Sequence, residues 1–223
     1  MIQEQLRKDI EATFDNSRII QKNILATNFP IHASRIPDLR KIAKLYKDDL
    51  NVLDNYRFDS YEDVMIYGLI LCVKKRDNDA FIHYMNPYIR VIDSWCYTDS
   101  IFKGYTGFND ALLAHYHYLL NDSWPYAIRL YLNMLLEASK YLPLNLIDLI
   151  QEVKEHSYSV DMMIAWILQI CLAKDYENNL VQIKKYTYSY QIIQMAIRKC
   201  KDSYVFTKGM KQEIEQELTR CIE

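Results

Sequence analysis

The sequence has 223 residues but only 4 Gly and 5 Pro, about 4 % together, where average usage gives roughly 12 %. Sandwiches, barrels and propellers need a Gly- or Pro-rich turn every ~8–12 residues, so this shortage excludes them. The scattered glycines form neither a dinucleotide-binding nor a P-loop motif. With 27 Lys and Arg against 29 Asp and Glu, the overall charge does not favour nucleic acid or an anionic membrane.

Apolar residues at helical spacing run through almost the whole chain. A first helix is predicted to end near Phe14. The clearest buried helix is predicted over Ser60–Arg76, with Ser60 as the N-cap and Asp63 three residues on, as in a capping box. Further helices are predicted over 37–50, 109–121, 143–156, 159–174 and 189–202. Another is predicted to begin near Ser123, with Pro125 in its first turn.

Five cysteines lie far apart and form no C-x-x-C pair, so we expect buried thiols, and neither a metal nor a redox site. His115 and His117 diverge on a helix and lack a third ligand, which also argues against a metal site. The amphipathic beginning of the sequence does not resemble a signal peptide, and no apolar run approaches about 18 residues. We therefore expect a protein of the reducing cytoplasm without a membrane span.

The buried helices are predicted to start near 60, 94, 124, 159 and 189, a spacing of about 30–35 residues that is typical of stacked helical pairs. This favours an all-α solenoid of degenerate HEAT-like repeats, with about twelve helices, no sheet and a single domain over 1–223. An irregular helical bundle is the alternative. Two basic clusters could line a concave binding face or be solvated helix surfaces: Arg35, Arg40, Lys41, Lys44 and Lys47, then Lys184, Lys185, Arg198, Lys199, Lys201, Lys208 and Lys211.

Five short strings occur in an order and spacing that resemble the AlkD family of bacterial DNA alkylation-repair proteins over nearly the whole chain. They are Ser-Arg-Ile-Pro-Asp-Leu-Arg-Lys-Ile-Ala-Lys at 34–44, Asp-Ser-Trp-Cys-Tyr-Thr-Asp at 93–99, Tyr-Ala-Ile-Arg at 126–129, Ile-Ala-Trp-Ile-Leu at 164–168 and Ala-Ile-Arg-Lys at 196–199.

The resemblance implies HEAT-like repeats around double-stranded DNA and a monofunctional glycosylase that removes cationic N3- or N7-alkylpurines. Asp99 would be the catalytic carboxylate, Trp95 and Trp166 would pack on the lesion's backbone, and Arg129 would hold a phosphate. A monomer without cofactor or metal is expected. The further cations expected to contact DNA are Arg35, Arg40, Lys41, Arg198 and Lys199.

The chemistry of these residue types agrees with those roles, but each has a purely structural alternative. An alkylpurine cation already leaves readily, so a carboxylate that stabilises positive charge on the sugar suffices. Trp95 and Asp99 are four apart, hence on one face of a helix. Taken alone, however, a Trp in an apolar helix packs in a core, Asp99 could cap a helix turn, and Arg129 could pair with a structural acid.

Two alternative functions remain open. The segment Asn16–Phe29 has room for only a short helix and offers just Arg18 and Lys22 as cations, and uncharged pairs stand at 169–170 and 194–195 where the family has charged residues. These features favour a divergent paralogue that binds DNA weakly and does not excise. The acidic pI of about 6.2 favours a protein-binding helical scaffold.

Overall fold

The computed structural model describes residues 2–15, 17 and 22–223. This part of the chain is all α-helical, as predicted, and its only β-type pairing is an isolated bridge between Tyr188 and Ile222. The chain divides into two compact units, an N-terminal unit over Met1–His115 and a C-terminal unit over Tyr116–Glu223. The single-domain assignment stays a prediction.

The N-terminal unit is built around helix α4 (Tyr61–Cys72), every residue of which is buried. Because apolar side chains occur on every face of α4, other helices must cover it on all sides. Helices α3 (Ile36–Leu45), α5 (Asn78–Ile89) and α6 (Trp95–Ile101) pack against α4, and α1 (Ile2–Glu11) packs on α3. A 3-10 turn over Leu50–Leu53 precedes it. The helices are α1 Ile2–Glu11, α2 Lys22–Leu25, α3 Ile36–Leu45, α4 Tyr61–Cys72, α5 Asn78–Ile89, α6 Trp95–Ile101 and α7 Asp110–Tyr116.

In the C-terminal unit, α8 (Pro125–Ala138) packs on α10 (Tyr158–Lys174) and α10 packs on α12 (Tyr190–Asp202), while the following helix, α13 (Lys208–Thr219), packs on α12. Stacking of alternate helices is the packing of a solenoid-like fold. Helix α10 is the central element, since α9 and α11 also contact it. Two 3-10 turns, His117–Asn121 and Ile150–Glu152, complete the unit. The helices are α8 Pro125–Ala138, α9 Leu146–Leu149, α10 Tyr158–Lys174, α11 Tyr176–Ile183, α12 Tyr190–Asp202 and α13 Lys208–Thr219.

Most predicted helix starts are confirmed within one or two residues, but α9 starts at Leu146, three residues after the predicted start at 143, and several other details differ. Helix α10 is capped by Ser157, whose Oγ accepts from the Val160 amide, so it starts before the predicted Ser159. Helix α4 ends at Cys72, short of Arg76. The helix predicted over 143–156 is a four-residue α-helix followed by a 3-10 turn.

All five cysteines are buried thiols, as predicted. Burial raises the pKa of the Cys171 thiol to about 11 and that of Cys200 to about 12, so neither is a thiolate near neutral pH. In the described part of the chain, no group of three His, Cys, Asp or Glu residues could hold a metal ion. No described helix combines the length and apolar character needed to span a membrane.

Candidate nucleic-acid interface

Helix α6 carries the predicted pair Trp95 and Asp99. Ser94 is its N-cap, and its Oγ accepts from the Cys96 amide at 3.2 Å. With a spacing of four, the indole and the carboxylate lie on one face of the helix. Trp95 is 36 % exposed and Asp99 is half-buried. The Thr98 hydroxyl lies 3.1 Å from an Asp99 carboxylate oxygen and 2.9 Å from the Trp95 carbonyl oxygen, so its single proton is shared between two acceptors.

The start of α6 is tied to the chain at 24–25. The Trp95 indole Nε1 donates to the carbonyl of Ile24 at 2.8 Å, and the Ser94 hydroxyl donates to the carbonyl of Leu25. The indole edge is therefore held in place, while part of its surface remains open to solvent. A rigid aromatic surface of this kind can pack on a ligand with little loss of conformational entropy.

Asp93 adds a second anchor one residue before the cap. Its carboxylate accepts from the Thr27 hydroxyl at 2.7 Å and from the Asn28 amide at 2.7 Å. The Thr27 hydroxyl also lies 3.1 Å from the hydroxyl of Tyr97. Because Asp93 is only 8 % exposed, these bonds are shielded from water and stabilise the start of α6.

The end of α6 is held by Arg40, whose Nη2 donates to the carbonyl of Ser100. Arg40 is half-buried, and burial lowers its pKa. Of the other cations predicted on α3 and its N-cap, Lys41 forms an exposed ion pair with Asp38 at 2.7 Å, and Arg35 is exposed. Arg40 thus positions the helix that carries Asp99, and Arg35 and Lys41 face solvent.

In the C-terminal unit, α10 and α12 bring Trp166 and Lys199 together. The Nζ of Lys199 lies 5.5 Å from the centroid of the Trp166 ring, within cation–π range. Trp166 is half-buried, and Arg198, next to Lys199 on α12, is exposed. The predicted aromatic and basic residues are therefore neighbours on this part of the chain.

Arg129 lies inside the C-terminal unit. It is 3 % exposed, and its Nη1 donates to the carbonyl of Ser159 at 2.5 Å. The resemblance implies a guanidinium that reaches a phosphate, whereas this one is covered and bonded to backbone. Its described contact links α8 to the start of α10 and is structural.

The predicted site residues fall into two sets. Trp95 and Asp99 belong to the N-terminal unit, and Trp166, Arg129 and Lys199 belong to the C-terminal unit. In the segment predicted to be short, the described residues form one four-residue helix, α2. Arg18 and the side chain of Lys22 lie outside the described residues.

Two exposed tyrosines in the C-terminal unit were not among the predicted site residues. Tyr158 is the first residue of α10 and Tyr190 is the first residue of α12, and they are 67 % and 66 % exposed. A signal was present, because a capping serine precedes each of them, at Ser157 and Ser189. A residue directly after the N-cap lies in the first helical turn, where a side chain can remain in solvent.

No model of a known protein family, no curated protein and no solved structure matches this chain.

Proposed function

We propose that this chain binds duplex DNA containing alkylated purines and hydrolyses the N-glycosidic bond of cationic N3- or N7-alkylpurines. The observation that supports the proposal best is the shared face of Trp95 and Asp99 on α6. Both ends of that helix are tied down by side chains, at the Ile24 carbonyl and, through Arg40, at Ser100. A carboxylate beside an accessible indole on a fixed helix suits a reaction that develops positive charge on a sugar.

In the proposed reaction, water attacks C1′ of the damaged nucleotide as the C1′–N bond breaks. The bond's electron pair leaves with the purine, which departs neutral because it was already cationic, and the proton of the attacking water is lost. No general acid is needed. Asp99 stabilises the positive charge that develops on the deoxyribose and orients the water.

Each tryptophan is assigned a contact with the DNA from its own unit. The exposed part of Trp95 would pack on the backbone of the lesion, where its indole face would stabilise the positive charge that develops on the sugar by roughly 0.5–2 kcal/mol. Trp166 already has the Lys199 ammonium near its ring. This pairing would place a phosphate-binding cation beside the second indole.

The second candidate function is DNA binding that is weak and not followed by excision. The burial of Arg129 favours it, because a guanidinium bonded to the Ser159 carbonyl does not contribute to phosphate binding. Arg40 is likewise engaged with a carbonyl, and Lys41 has Asp38 as its partner. Fewer available cations mean a lower affinity for DNA.

The experiment is release of 7-methylguanine or 3-methyladenine from methylated duplex DNA, with protein in large excess so that binding is saturated. Wild-type protein is expected to release the base, and Asp99→Asn is expected to slow release at least about a hundredfold. Asp110→Asn, at an exposed position of the same unit, is the matched control and should keep the wild-type rate. Absence of release at saturation would overturn the glycosylase proposal and favour the second candidate.

A further inference from the structure

A cavity of about 860 Å³ in the C-terminal unit is lined mainly by α10 and α12. These two helices pack directly on each other. Tyr158 and Met162 line the cavity from α10, and Tyr190, Gln194 and Arg198 line it from α12. Each of these sets is spaced by four residues, so its members lie on one face of their helix, and further residues of α12 complete the lining.

The two tyrosines of this cavity are unusual because they are large, aromatic and mostly in solvent. About two thirds of each side chain is exposed, 67 % for Tyr158 and 66 % for Tyr190. Within the described part of the chain, neither ring contacts another ring and neither hydroxyl forms a hydrogen bond. Most tyrosines in the helices of this protein contribute to the core, so these two are free to bind something else.

The remaining lining residues have the chemistry of a nucleotide site. Gln191 and Gln194 supply amide groups that both donate and accept hydrogen bonds. Arg198 is exposed, and Lys199 lies beside the Trp166 ring. Of the two acids at the edge, Glu215 is paired with Lys201 at 2.7 Å, which leaves the cations in excess.

We propose that this cavity, which we term the tyrosine groove, binds unpaired nucleotides of a single-stranded nucleic acid. The bases would stack on Tyr158 and Tyr190, and Arg198 and Lys199 would contact the phosphates. Exposed rings can stack only on bases that are not already stacked in a duplex, which is why the ligand is a single strand. The proposal concerns the C-terminal unit alone and stands whether or not Asp99 catalyses excision.

The test is fluorescence anisotropy of the full chain with a labelled oligothymidylate of about 10 nucleotides, within the ~4–16 nucleotides typical of single-strand sites. Tyr158→Ala and Tyr190→Ala are each expected to weaken binding about fivefold or more, because base stacking is worth roughly 1–3 kcal/mol. Tyr158→Phe should retain the wild-type affinity. Tyr204→Ala, at a fully exposed position outside the groove, is the matched control and should also bind normally.

Two further probes separate the contribution of base stacking to the affinity from that of phosphate binding. An abasic oligomer of equal length carries the phosphates without bases and should bind much more weakly than oligothymidylate. For Arg198→Gln, the slope of log affinity against log salt concentration should become shallower by about 0.7, the value for one phosphate contact on a single strand. Equal affinity for the two oligomers, unchanged binding by both Tyr158→Ala and Tyr190→Ala, or no binding by wild-type protein would overturn the proposal. Asp99→Asn should bind as wild type, so loss of excision and loss of this site are distinguishable.

Discussion

Glu62 is fully buried in the first turn of α4 and holds the neighbouring chain segment in place. Its carboxylate accepts from the His32 amide at 3.0 Å and from the Ser34 amide at 3.2 Å. Burial raises the pKa of Glu62 above its ordinary value, although those backbone hydrogen bonds act in the opposite direction. The folded protein therefore binds the Glu62 proton more tightly than the unfolded chain does.

The sign of the resulting pH dependence follows from proton linkage. Between the ordinary value of 4.5 and the raised pKa, the folded state binds more protons at Glu62, so stability falls as pH rises through this window. Glu62→Gln mimics the neutral acid. We expect the stability of the variant relative to wild type to increase as pH rises through the window and then to level off, as measured by urea denaturation from acidic to neutral pH.

Glu155→Gln, at an exposed loop position, is the control for the loss of one negative charge outside the core. A constant stability difference between Glu62→Gln and wild type across the pH range would contradict the prediction. It would mean that the Glu62 carboxyl binds its proton equally in the folded and unfolded states.

At the level of the helices, Gly68 sets how closely α4 and its neighbours pack. A Cβ at this position would lie 2.6 Å from Cγ2 of Ile101 and 2.7 Å from the hydroxyl oxygen of Tyr88. Both neighbours are fully buried, at 2 % and 0 % exposed. Ile101 is the last residue of α6, so the glycine brings the Asp99 helix close to the core.

We predict that Gly68→Ala destabilises the protein. Alanine favours a helix by about 1 kcal/mol over glycine, but forcing an extra methyl group into a packed core costs typically ~1–3 kcal/mol. Gly209→Ala is the matched control, because a Cβ there has nothing within 4 Å and should stabilise by about 0.4–1 kcal/mol. Thermal or urea denaturation of both variants measures the difference. Equal stabilisation by both would show that α6 moves aside at no cost.

The helix starts could be predicted because capping is local chemistry. Ser60 accepts from the Asp63 amide at 3.1 Å, as the spacing of the two residues indicated. The ends of α10 and α12, at Lys174 and Asp202, were also predicted correctly, whereas the end of α4 was not. Helix α4 stops at Cys72, and Arg76 turns back to donate to the carbonyls of Ile70 and Leu71. No sequence pattern near Arg76 predicts that its side chain bonds back to the carbonyls at the end of α4.

The features of the candidate site also divide into one that local spacing predicts and one that depends on tertiary packing. The common face of Trp95 and Asp99 follows from a spacing of four in one helix, and it was predicted correctly. The burial of Arg129 was not predictable, because its partner, the Ser159 carbonyl, lies 30 residues further along the chain. Whether a charged side chain is covered depends on which helix packs over it, and that is a property of the tertiary structure.

For the molecule as a whole, the balance of charges decides how strongly DNA can bind. The net charge is −2, and several exposed cations are already paired with acids. Lys41 pairs with Asp38 at 2.7 Å, and Lys201 pairs with Glu215 at 2.7 Å. Each pair reduces the positive potential that phosphates would meet, although exposed pairs themselves add little to stability.

Removal of one acid tests whether the surface of α3 contacts DNA. The Lys41 ammonium lowers the pKa of Asp38, so this carboxylate is ionised near neutral pH and opposes a phosphate at Lys41. Asp38→Asn is expected to strengthen duplex binding at low salt. The plot of log affinity against log salt should become steeper by about 0.9, the value for one additional phosphate contact.

Asp79→Asn changes the net charge equally at an exposed position on α5, away from the predicted DNA-binding cations, and should leave the salt slope unchanged. Fluorescence anisotropy with a labelled duplex over a range of salt concentrations measures both variants beside wild type. Tight wild-type binding at low salt with a steep slope would count against the weak-binding paralogue. Equal slopes for Asp38→Asn and Asp79→Asn would show that Lys41 makes no phosphate contact, since one freed cation at the interface must release additional counterions.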